Sequence, residues 1–128
     1  MKLIDTWHLP IKTVSEQNMQ REHWAVKAKR HRTQKNWVAM RWLQNDTDLL
    51  SLPIHIKLTR ISPRKLDYDN LCCSQKFVFD ALCECFIPGL APGRADSDPR
   101  ITVEYHQEKG KPKEYGVKIE FYNLSEGK

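Results

Sequence analysis

No run of apolar residues in this chain approaches the roughly 20 needed to cross a bilayer as a helix, so a membrane protein is not expected. Internal repeats and low-complexity tracts are also missing, which argues against a repeat architecture. The opening segment, MKLIDTWHLPIK, holds Asp5 and His8 inside a short apolar stretch. That makes a poor secretory signal and a reasonable edge strand, and a cytoplasmic location is the expectation. Cysteine is confined to Cys72, Cys73, Cys83 and Cys85, all in one predicted helical segment. Cys72 and Cys83 would share a face but lie about three turns, roughly 16 Å, apart along the axis. That is too far for a disulfide or for one zinc ion held by all four sulfurs of a straight helix. Reduced cysteines acting as small core residues are expected, with a metal or redox role as the alternative.

An acidic surplus is absent as well. Lys and Arg number 21 against 16 Asp and Glu, giving a net charge of +5, and the pI is about 9.1. Such a surplus favours a polyanionic partner, because basic contacts to phosphate release counterions. What is present is a soluble, globular composition: 40% hydrophobic and 29% charged over 128 residues, enough for one domain with a single two-layer core.

Residues 2 to 9 read as a strand ended by Pro10. Ser15 or Asn18 is a candidate cap for a helix running to about Leu43, with Trp24, Ala28, Val38 and Trp42 as its buried stripe. Lys27, Lys29, Arg30, Arg32 and Lys35 crowd the middle of that helix. They suit either a solvated surface or a helix lying along a phosphate backbone, and His23 and His31 fit both readings. Pro53 opens a second strand in which Ile54, Ile56 and Leu58 alternate with His55, Lys57 and Thr59, and Ser62-Pro63 stops it. Asp69 to Phe86 reads as a second helix with Leu71, Phe77, Val78, Ala81, Leu82 and Cys85 on its apolar side. Residues 87 to 99, rich in proline and glycine, read as loop. Two alternating segments, around Ile101–His106 and Tyr115–Phe121, joined by EKGKPK, read as a hairpin. The predicted class is α+β: two layers in β-α-β-α-β-β order, one mixed sheet with both helices packed on one face.

The chemistry concentrates at the end of the second strand. Arg64 and Lys65 are followed by Asp67 and Asp69, which project to one side if the strand geometry continues. Two such carboxylates repel unless a cation lies between them, and Mg²⁺ prefers hard oxygen ligands. The plainer alternative is that Asp69 or Asn70 caps the second helix. Lys76, almost two turns after Asp69, returns to the same helical face. There it would stabilise an oxyanion, or else form an i,i+4 pair with Asp80. The loop adds Asp96 and Asp98 ahead of Arg100, as metal ligands or simple turn residues.

The run Leu66-Asp-Tyr-Asp-Asn-Leu71, then Lys76, Phe79-Asp-Ala-Leu82 and Asp96-x-Asp-Pro-Arg-Ile101, resembles the RusA family of Holliday junction resolvases, especially its phage-type members. The similarity is close over about residues 64 to 107. The resemblance implies a homodimeric, Mg²⁺-dependent (or Mn²⁺-dependent) endonuclease that nicks four-way DNA junctions in pairs, with no small-molecule substrate. It assigns Asp67, Asp69 and Asp98 to the metal and Lys76 to an assisting role. Lys27, Arg30, Arg64, Lys65 and Arg100 are the expected DNA contacts. The spacing from Leu71 to Phe79 and the loop before Asp98 are longer here than in the best-known members. Asp98 is preferred to Asp96 because the Pro-Arg-Ile that follows resembles the family's start of the next strand. A catalytically silent module that binds branched DNA is the main alternative; a zinc-held interaction module is a third.

Overall fold

The computed structural model describes residues 2–15, 21–44, 50–88 and 99–124. Strand β1 (Lys2–Leu9) ends at Pro10, which has no N–H to give a ladder. Helix α1 is Trp24–Leu43, β2 is Ile54–Ser62, α2 is Tyr68–Phe86, β3 is Ile101–Lys109 and β4 is Gly116–Asn123. This is the expected order, and the four strands form one mixed sheet.

Within that sheet the strands lie β1-β4-β2-β3. β4 runs antiparallel to both β1 and β2, while β3 lies parallel to β2, joined to it by the α2 crossover. The expected hairpin is therefore a correction: β3 and β4 flank β2 on opposite sides and do not pair with each other. The core explains the choice. Ile54, Ile56 and Leu58 of β2 and Val117, Ile119 and Phe121 of β4 are all but completely buried, whereas Val103 and Tyr105 of β3 are only partly covered. Setting the two most apolar strands side by side in the centre buries both, and each such side chain contributes about 1.5–3 kcal/mol. The connection from β3 to β4 passes around the end of β2, where the Gly110 N–H donates to Ser62 O at 2.8 Å. A Cβ at Gly110 would stand 2.7 Å from Glu114 Oε1 and 3.1 Å from Ile61 Cγ2, so a larger residue here would have to displace the Glu114 side chain and press on Ile61.

Both helices cover the apolar face. They run in the same direction, since their contacts advance together: His31 stacks on Phe77, Lys35 meets Glu84, and Trp42 meets Phe86 edge to face. Trp7, Trp42, Phe86 and Phe121 interlock where sheet and helices join. The start of α1 departs from expectation. His23 is its N-cap, its Nδ1 accepting from Ala25 N, and Ser15 lies well ahead of the helix. Asn18, the other candidate cap, lies outside the described residues. The buried stripe is Gln34 and Val38 with half-buried His31 and Trp42; Trp24 (75% exposed) and Ala28 are outside it. The α1 residues seen against the sheet, Arg41 and Trp42 on Trp7, lie at its C-terminal end, and the tryptophan at its start stays exposed, its ring stacked only on His23 among the described residues. All four cysteines are free thiols. Burial, aided by Glu84, pushes the Cys85 thiol up to about 11, which keeps it protonated at neutral pH. No helix among the described residues is long and apolar enough to cross a membrane.

Candidate functional site

Where β2 ends, the chain turns through residues 63–67 into α2. Asp67 is the last extended residue (φ −65°, ψ 167°) and the N-cap of α2. Its Oδ1 accepts from Asn70 N at 3.1 Å and Asn70 Nδ2 at 2.6 Å. Capping thus falls to Asp67 rather than to Asp69 or Asn70. It also revises the geometry expected of the acid pair: Asp69 stands in the first helical turn, not on an extended strand end, and its favourable relation there is to the helix dipole. Both aspartates are solvent-exposed.

Three clamps fix this turn. Gln107 of β3 holds the backbone of Leu66 from both sides, accepting from Leu66 N at 2.8 Å and donating to Leu66 O at 2.6 Å. Arg60 of β2 donates to Arg64 O at 2.8 Å. Ser15, beyond β1, donates through Oγ to Asn70 Oδ1 at 2.6 Å. Asn70 therefore links the segment after β1 to the Asp67 carboxylate. Sequence reasoning passed over Arg60, Gln107, Ser15 and Asn70 as site residues. Two carried a signal: Arg60 occupies the inward register of β2 after Ile54, Ile56 and Leu58, and Gln107 follows Ile101, Val103 and Tyr105 on β3. A polar side chain in a core-facing register requires a partner.

The other expected residues fall at varying distances from this turn. Arg64 and Lys65 are exposed within it. Lys76 is exposed on α2 and, seven residues after Asp69, shares its helical face. The alternative i,i+4 ion pair between Lys76 and Asp80 is not formed. Lys27 and Arg30 lie on α1, and Arg30 is mostly covered and bound to Glu22 at 2.5 Å. Arg100 is exposed just ahead of β3. Asp96 and Asp98 lie outside the described residues.

Among the described residues no three His, Cys, Asp or Glu side chains converge on a metal position. The donors that are described nevertheless suit a hard divalent cation. Two exposed carboxylates stand at one turn; Asp67 is oriented through Oδ1 by Asn70, as metal-binding carboxylates commonly are, and its Oδ2 takes no hydrogen bond from the described residues. No protein-family model matches the chain, and no curated protein matches it either.

Proposed function

We propose that this chain is a divalent-metal-dependent endonuclease acting on branched DNA, working in the cytoplasm as a homodimer that nicks a four-way junction in pairs. The observation that carries the reading is the clamped turn after β2, where exposed Asp67 and Asp69 stand beside exposed Arg64 and Lys65 at one end of a rigid sheet. Rigid support of this kind is what a positioned catalytic group needs. Asp67 and Asp69, with Asp98, are the residues that would hold Mg²⁺ or Mn²⁺. The chemistry supplied by a bound ion is activation of a water and neutralisation of charge on the phosphate. Arg64 and Lys65 attract and seat the backbone without reading bases, and Arg100, Lys27 and the less available Arg30 extend the basic surface. Lys76, on the face of Asp69, meets negative charge developing on the leaving oxygen.

The test is cleavage of a labelled four-way junction beside a linear duplex of the same sequence, with Mg²⁺ or with EDTA. Paired, symmetric, metal-dependent nicks in the junction alone are expected. Asp69→Asn should abolish them while leaving junction binding intact or tighter; retained cleavage by that variant removes Asp69 from the metal site. One observation favours a second reading, a silent module that binds branched DNA: Asp67 already has an ordinary duty as a helix cap. Titration calorimetry separates the two, because the silent module has no divalent site dependent on Asp67 and Asp69.

A further inference from the structure

Arg60 is an arginine in a place built for an aliphatic residue. It follows Ile54, Ile56 and Leu58 in the inward register of β2 and is 6% exposed. Its guanidinium donates to Thr13 Oγ1 at 3.0 Å, Thr13 O at 3.3 Å and Arg64 O at 2.8 Å. All three acceptors are neutral. No carboxylate among the described residues lies within ion-pair distance of it. Burial draws its pKa below the ordinary arginine value, opposed only by Tyr115. Three of its five N–H groups are used, leaving two for another acceptor. Nothing described within the chain supplies a counter-charge to this largely covered cation.

Arg60 does not face solid core. It lines a cavity of about 330 Å³, room on the order of ten waters, between the segment after β1 and the turn before α2. Lys12 and Arg64 add two more cations to the lining; Thr13, Ser15 and Ser62 add hydroxyls, and no acid is among the described residues that line it. Lys12 Nζ lies over the Tyr115 ring, 4.6 Å from its centroid, where it satisfies no anion. Three cations, with the Thr13 and Ser62 hydroxyls beside them and no carboxylate among the described lining, form a receptor for a tetrahedral oxyanion.

We propose that this cavity binds a phosphate group through Arg60, Arg64 and Lys12, and that the group is a backbone phosphate of nucleic acid next to the one presented to Asp67. Pro63, Arg64 and Leu66 form part of the cavity wall and also belong to the turn that leads to Asp67. An occupied cavity therefore fixes the register of the strand on the acids. The identification with DNA rests on the nuclease reading; phosphate binding itself does not.

The experiment uses the whole chain in EDTA, so that no metal contributes. Inorganic phosphate is titrated while the arginine Nε–Hε signals are followed by NMR. A saturable shift of Arg60 with a dissociation constant on the order of millimolar is expected, weakened about tenfold or more in Lys12→Ala/Arg64→Ala, two surface changes that leave the fold in place. Absence of a saturable change at Arg60 overturns the site. In a second arm, each phosphodiester of a junction arm is replaced in turn by an uncharged methylphosphonate. One position should weaken binding of the unmodified protein about tenfold yet leave the double variant unaffected. Phosphate binding with no such position overturns the nucleic-acid assignment and points to a small phosphorylated ligand. Loss of junction cleavage with phosphate binding intact overturns the nuclease reading alone.

Discussion

Two polar regions of this molecule handle charge in opposite ways. On the uncovered face of the sheet, Glu104 and Lys118 meet partners. Glu104 takes His55 at 2.9 Å on one oxygen and His106 at 2.6 Å on the other, and Lys118 reaches Glu108 at 3.3 Å and Glu120 at 4.0 Å. At the turn after β2, described charges stand apart. Asp69, Arg64, Lys65 and Lys76 form no ion pair there, and Arg60 is buried with neutral acceptors alone. Cross-strand matching stabilises a sheet at little cost. Unmatched charge held in place by backbone clamps gives the fold no such return, and that contrast is what the proposed binding role of the turn rests on.

The largest test of this contrast is Gln107→Ala. It leaves the Leu66 N–H and C=O without their partners, and urea unfolding should show a loss of about 2 kcal/mol. A loss below a few tenths of that would mean that water replaces the clamp and the turn is not held. Asp67 comes next, because its two duties separate. Asp67→Ala should cost about 1 kcal/mol through the lost cap, whereas Asp67→Asn, an equally good cap, should be nearly neutral in stability. Under the nuclease reading both variants are inactive, so stability and cleavage respond to different atoms of one side chain.

The smallest expected effect lies on the paired face. Hydrogen bonds from His55 first, and His106 next, hold the Glu104 carboxyl below its ordinary value. A depressed folded value means that this stabilisation is present above the ordinary glutamate pKa of about 4.3 and is lost as pH falls through the folded value. Glu104→Gln should therefore lower stability above that point and make little difference well below the folded value, which flattens the acid limb of the profile. Glu104 is 44% exposed, so solvent screening keeps the difference under about 1 kcal/mol. Thermal melts between neutral and acidic pH read it directly.

Much of the fold was legible because strands announce themselves by period two. The alternation of Ile54, Ile56 and Leu58, and of Val117, Ile119 and Phe121, sets both the strands and the buried face. Pairing was not legible. A short connection containing Gly110 and Pro112 has the composition of a hairpin turn, and local chemistry does not reveal that β2 lies between the strands it joins. The stripe on α1 was half right, since periodicity shows a face but not how far the sheet extends beneath it. At the site, Asp67, Asp69 and Lys76 are conspicuous because carboxylates and lysines carry obvious chemistry. Arg60 and Gln107 hold the turn from inward registers, and their role emerges only when β2 and β3 are set side by side.

The central position of β4 also bears on how the molecule comes into being. As a ribosome delivers the chain, β1 emerges first, yet the neighbour it pairs with is the last strand to appear. Until then β1 has no ladder, and Trp7 lacks Phe121 against which it finally packs. The parallel unit of β2, α2 and β3 is complete earlier, and Gln107 closes on Leu66 within it. The Gln107–Leu66 clamp of the acid-bearing turn thus lies wholly within that unit, and within the sheet it is β4 alone that ties β1 to it.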